Sequence, residues 1–157
     1  MKILLAVGGG VALLVSGLGA PTASAVPDLG VDVQSQMGPD SLPAGLSGTY
    51  RIGVANIGDV ASSAEVLILF AGKLEQTGQI RAEGGFECQV VPPSAGINSA
   101  VRCTTQRIDP YTFPAITVQA RGSAPGAGQL IVTIDPSHSV PETFFDNNFR
   151  QKDVTIT

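Results

Sequence analysis

The sequence predicts an all-β fold, an antiparallel β-sandwich of about 7–9 strands. Three observations predict it. Apolar residues recur with a period of two in short runs along the chain. Pro, Gly, Asn and Asp punctuate those runs at short intervals. No segment shows a sustained 3.6-residue apolar stripe with a helix cap.

The first element is not part of the fold. Lys2 supplies a basic start, Ile3 to Ala20 is apolar and small, and Ala23-Ser24-Ala25 is the small-x-small pattern that a signal peptidase accepts. Residues 1–25 therefore read as a secretory signal peptide and residues 26–157 as one domain, long enough to enclose a single core. The competing reading is an uncleaved anchor, which Gly8, Gly9, Gly10, Gly17 and Gly19 weaken as a span. No cysteine lies near the cleavage point for lipid attachment, and no second hydrophobic span follows. The expected location is secreted, or in the extracytoplasmic cell envelope.

Along the domain, Val31-Asp32-Val33-Gln34 alternates, and Tyr50 to Asn56 places Tyr50, Ile52 and Val54 on one face. Glu65 to Phe70 is apolar on both faces and predicts a central strand covered on both sides. Phe86 to Val90 and Val101 to Thr105 alternate cleanly. Ile116 to Ala120, Leu130 to Ile134 and Val154 to Ile156 complete the set. Leu74 to Ala82 reads equally as a short edge strand or a loop.

Cys88 and Cys103 are the only cysteines, each on the apolar phase of its strand. If the two strands pair as a hairpin over Pro92 to Ala100, the cysteines fall nearly opposite one another, within the ~7 Å between Cα atoms that a bridge needs. Closing such a loop stabilises by about 3 kcal/mol in the chain-entropy model. The alternative is a redox or metal pair, but His138 is the only other nitrogen or sulfur ligand, too few for zinc.

Charge and composition narrow the function classes. The formal charge is −4, and the nine basic residues are scattered, which argues against nucleic acid. Ser137 and Ser139 flank His138, but neighbours in a turn point apart, so no hydrolytic triad is expected. Glu83 with Glu87, or Glu142 with Asp146, are carboxylates near turns and read as surface. Gly84-Gly85 precedes a strand and not a helix, so it cradles no phosphate. With no Trp and two Tyr the chain lacks the platforms of a lectin. It is expected to be no enzyme and to hold no cofactor.

The most patterned polar segment runs from Ile134 to Asn148. Asp135, Glu142, Asp146, Asn147 and Asn148 bring oxygen atoms into one loop, as calcium sites do. Their spacing matches no calcium-loop template, so the favoured reading is a structured turn with side chains bonding backbone groups. Calcium at Asp135, Glu142, Asp146 and Asn147 stands as the alternative.

These residues carry a resemblance. Asp135-Pro136, Val140-Pro141-Glu142 and Asp146-Asn147-Asn148 before a last strand resemble the end of the cell-adhesion-related domain found in bacteria. Asp28-Leu29 and Val54-Ala55-Asn56-Ile57-Gly58-Asp59 resemble its first strand and its "V-x-N-x-G" turn. Phe86-Glu87-Cys88, Val101-Arg102-Cys103-Thr104 and Asp109-Pro110 are similar to the related bacterial surface-protein conserved-repeat domain. The likeness covers most of residues 28–157. It implies an immunoglobulin-like sandwich used in extracellular assembly or adhesion. The chain differs in carrying one copy, and in placing Phe144-Phe145 where the family tends to be polar.

Loop aromatics are the candidate partner contacts: Phe144 and Phe145, with Tyr111 and Phe113 in reserve. A lid on the end of the sandwich core is the reading favoured over contact for these loop aromatics. The expected function is a secreted, non-catalytic protein-binding or structural module whose partner is an extracellular or cell-envelope protein. Pairing at an exposed edge strand is a mode open to it. A calcium-dependent adhesion module and a small secreted enzyme or inhibitor are the alternatives.

Overall fold

The structure, a computed structural model, describes residues 25–32, 37–142 and 144–157. Nearly all of the expected signal segment lies outside the described residues. Among the described residues the chain is all-β, with ten strands and no helix, so none is long and apolar enough to cross a membrane.

The strands are β1 (Leu29–Val31), β2 (Ser41–Leu42), β3 (Ser47–Asn56), β4 (Ser62–Gly72), β5 (Leu74–Ala82), β6 (Glu87–Val91), β7 (Ile97–Ile108), β8 (Ala115–Gly122), β9 (Gly126–Ile134) and β10 (Phe149–Ile156). They form two sheets, ordered β1-β3-β8-β5 and β2-β10-β9-β4-β7-β6. All pairings are antiparallel except β2 with β10, which is parallel.

The period-two pattern explains the layers. Tyr50, Ile52 and Val54 of β3 and Ile116 and Val118 of β8 face inward from the smaller sheet. Val66, Ile68 and Phe70 of β4, Val101 and Cys103 of β7, and Leu130, Val132 and Ile134 of β9 meet them from the larger one. All of these side chains are fully buried, and together they form one core. Burial pushes the Tyr50 hydroxyl up to about 12, with Asp40 adding to the effect.

Several expectations are corrected. β4 is central, between β9 and β7, but it is covered on one side only: Leu67 and Leu69 face outward, half-buried among Thr133, Ile131, Arg102 and Ala100. No layer lies over them among the described residues, and neighbouring side chains alone shade them. The first strand runs Leu29–Val31, as the resemblance at Asp28-Leu29 implies; Val33 and Gln34 lie outside the described residues. Leu74–Ala82 is an edge strand whose register breaks between Thr77 and Arg81, at the positive-φ Gly78. β10 begins five residues before Val154, because its polar first half pairs through backbone with Leu130 to Thr133.

Cys88 and Cys103 are directly opposite on β6 and β7 and form a disulfide, with Cα atoms 4.0 Å apart. The bond lies within one sheet and joins its edge strand to the next.

A candidate recognition surface at one end of the sandwich

Strand direction gathers four loops and the start of β1 at one end, here called the apex. The loops are 57–61, 83–86, 109–114 and 135–148. All the sequence-derived contact aromatics fall there. Tyr111 and Phe144 are each 63% exposed, Phe113 52% and Phe145 43%. They are not a lid; Val140, buried in the core, is the apolar residue that the 135–148 loop turns inward.

Buried polar groups hold this rim in place. Asp135 is fully buried, with a left-handed backbone (φ 44°). Its Oδ1 accepts from Ser139 N at 3.0 Å, Ser139 Oγ at 2.8 Å and Ser137 Oγ at 3.4 Å, and its Oδ2 from Val140 N at 2.8 Å. Burial opposes its ionisation, but these bonds win and hold the carboxyl below its ordinary value. The two serine hydroxyls thus converge on Asp135 and not on His138, in keeping with the expectation that these turn neighbours point apart from the histidine. His138 instead meets the Phe145 ring edge-on, centroids 5.1 Å apart.

Glu142 clips the loop to β1. Leu29 N donates to its Oε1 at 2.9 Å, and Asn148 Nδ2 to its Oε2 at 2.5 Å. Burial raises its pKa above the usual carboxylate value, and the charges of Asp135 and Asp28 add to that, against the bonds from Asn148 and Leu29. Asn147 makes a second clip: its carbonyl accepts from Val31 N at 2.9 Å, and its Nδ2 donates to Asp28 Oδ1 at 2.9 Å. Asp146 is exposed.

Asn56, at the end of β3, organises the other loops. It is fully buried; its Nδ2 donates to Val60 O at 2.8 Å and Ile108 O at 3.1 Å, and its Oδ1 accepts from Gly58 N at 3.1 Å. Its carbonyl accepts from Tyr111 N at 2.7 Å. Tyr111 O–H donates to Asp59 Oδ1 at 2.6 Å, which raises the hydroxyl's pKa. Phe113 stands over a depression of about 220 Å³ that Ile57, Ala55, Gly30 and Asn147 also line. Sequence reasoning singled out the rim but not Asn56 as its organiser; the Asn56-Ile57-Gly58 turn was the available signal.

The oxygen set fits calcium poorly. Both oxygens of Asp135 and of Glu142 already accept hydrogen bonds. No group of three or more His, Cys, Asp or Glu among the described residues is placed to hold a metal ion. The buried acceptors left without a partner here are Asn147 Oδ1 and Asn148 Oδ1.

With this geometry in hand, solved structures give a match. A CARDB domain from Pyrococcus furiosus, a crystal structure described in complex with di-metal ions, superposes with a TM-score of 0.62 at 20% identity, over 86% of this chain and 97% of that one. The fold is that of the CARDB domain, the cell-adhesion-related domain of bacteria. A solution structure of the Pyrococcus domain agrees, with a TM-score of 0.59 and 19% identity over 85% of this chain and 97% of that one. A cohesin module from a Clostridium perfringens family 33 glycoside hydrolase has a TM-score of 0.53 at 12% identity, over 85% of this chain and 98% of that one. No protein-family model and no curated protein matches the chain. The resemblance read from the Asp135–Asn148 and Val54–Asp59 motifs is therefore supported at the level of the CARDB fold.

Proposed function

We propose that the chain is an exported, non-catalytic recognition module whose apical aromatic rim binds another protein outside the cytoplasm. One observation carries the reading. Tyr111, Phe113, Phe144 and Phe145 stand in solvent together at one end of the sandwich, on loops that buried Asp135 and Asn56 and half-buried Glu142 fasten from beneath. Large aromatics held out on fastened loops enlarge a contact area at little ordering cost. The disulfide agrees with an oxidising compartment, and the apolar Ile3–Ala20 run with export. The CARDB fold agrees with adhesion-related use. A non-catalytic role is supported by the serines beside His138, which serve Asp135.

The test replaces Phe144 and Phe145 by alanine together. Capture of the native partner from the extracellular fluid or envelope should fall by at least ~10-fold. The melting temperature should move by less than about 2 °C, since both rings are solvated. Unchanged capture, or a large fall in stability, overturns the reading.

A further inference from the structure

Four strands end the two sheets: β1, β5, β2 and β6. Three of these edges are closed. The outer side of β1 is bonded by the apical loop, through Val31 N to Asn147 O and Leu29 N to Glu142 Oε1, each 2.9 Å. β2 is two residues long, set between Pro39 and Pro43. β5 is broken by its bulge at Gly78 and carries Arg81. Short strands, proline, bulges and cations are the usual devices that stop strands from pairing with other chains.

β6 has no bulge, no cation and no proline within it, and Pro92 and Pro93 lie just past its end. It pairs with β7 in unbroken register from Glu87 to Val91. The 4.0 Å between Cys88 Cα and Cys103 Cα is the close spacing of a non-hydrogen-bonded pair. Glu87, Gln89 and Val91 therefore turn their N–H and C=O toward β7, and Cys88 and Val90 turn theirs outward. No bond to those outward groups is found among the described residues. Val90 shares the inward phase with Cys88 yet is 58% exposed, since nothing flanks it on that side. Donors and acceptors alternating along one side at strand spacing call for another strand.

We propose that this strand is β6 of a second copy, paired antiparallel about a two-fold axis through Gln89. Cys88 then lies opposite Val90 of the second copy, and the outward N–H and C=O groups of both copies satisfy one another. Glu87 lies opposite Val91, so the carboxylates do not face each other. Gln89 lies opposite itself on the outer face, where the two amides hydrogen-bond. The second copy shades the exposed flank of Val90. The neighbouring registers fail. Moving the axis one residue sets Val90 against Phe86, whose N–H already donates to Glu83 O at 3.3 Å, or sets Cys88 against Pro92, which has no N–H. The pairing joins two six-stranded sheets edge to edge and leaves both aromatic rims free.

The test is molar mass by light scattering over a concentration series of the purified chain. Dimer mass is expected by about 100 μM, given a small interface. Val90→Pro deletes an N–H that the monomer does not use, so it should halve the mass while the cooperative melt persists. Val90→Lys should also halve it, through an unpaired charge at the junction. The Phe144 and Phe145 alanine pair should leave the dimer intact, so failure here is separable from failure of the rim reading. Monomer mass for the parent chain at ~100 μM, with or without protection of the β6 amides by an added foreign peptide, overturns the proposal. So does dimer mass in Val90→Pro.

Discussion

Removing the Asp135 carboxylate should loosen the apical rim from beneath. In Asp135→Ala, Ser139 N and Val140 N lose acceptors that lie at 3.0 and 2.8 Å. The buried Val140 N–H left unmade costs about 1–3 kcal/mol, while Ser139, which is exposed, and the serine hydroxyls can turn to water. Alanine also tolerates the φ of 44° less well than aspartate, by about 1 kcal/mol. The total is about 2–4 kcal/mol, a large part of the 5–15 kcal/mol typical of a domain. Asp135→Asn keeps one acceptor oxygen and suits the left-handed backbone, so about half that loss is expected. Urea unfolding near pH 7 reads the difference directly as a displaced midpoint. The acid limb is a second readout. The folded pKa of Asp135 is depressed, so its contribution is fully present above the unfolded value of about 4 and is lost as pH falls through the folded value. Both variants should flatten that limb. A loss below ~1 kcal/mol in Asp135→Ala, or an acid limb as steep as the parent's, would refute the reasoning.

Glu142 titrates in the opposite sense. Its folded pKa is raised, so its ionisation removes stability as pH rises through the interval between the unfolded and folded values. Glu142→Gln should erase that loss and cost less than about 1 kcal/mol near neutrality, because Asn148 can turn its unpartnered Oδ1 toward the new amide; urea midpoints across pH decide it. Replacing Cys88 and Cys103 by alanine should cost about 3 kcal/mol, from a sequence separation of 15, and denaturing thiol titration of the parent should find no free thiol. Excess calcium should not shift the melting temperature, since the carboxylates of Asp135 and Glu142 are already engaged; a shift that Asp146→Asn cancels would reverse this.

Much of the fold was legible because β-structure is written in two local signals. Tyr50-Arg51-Ile52-Gly53-Val54 shows its buried face by alternation, and Asn56 to Asp59 shows where the strand must stop. What escaped was set by distant contacts. β2 is two residues of backbone pairing with no pattern of its own. The first half of β10, Phe149 to Lys152, pairs with β9 while its side chains stay exposed or half-buried, so its composition looks like a loop. In β5 the bulge at Gly78 breaks the alternation that would have marked it as a strand. At the apex, Asp135 could be read as a turn former because its partners lie within five residues. The Glu142 bond to Leu29 spans 113 residues, and no local rule announces it. That Tyr111 and Phe144 are solvated rather than packed is equally non-local, because it depends on Val140 having filled the end of the core.

The chain enters β1 at the apex and leaves β10 at the opposite end. Tension along that line would pull each terminal strand lengthwise past its neighbour. The β10–β9 ladder, paired from Phe149 to Ile156, would resist as a set of bonds strained together and not opened one by one. β1 pairs with β3 over three residues, so the grips of Glu142 and Asn147 on Leu29 and Val31 would share its load. The apical loop would then serve as a mechanical clasp, and cutting it should lower the force at which the sandwich ruptures.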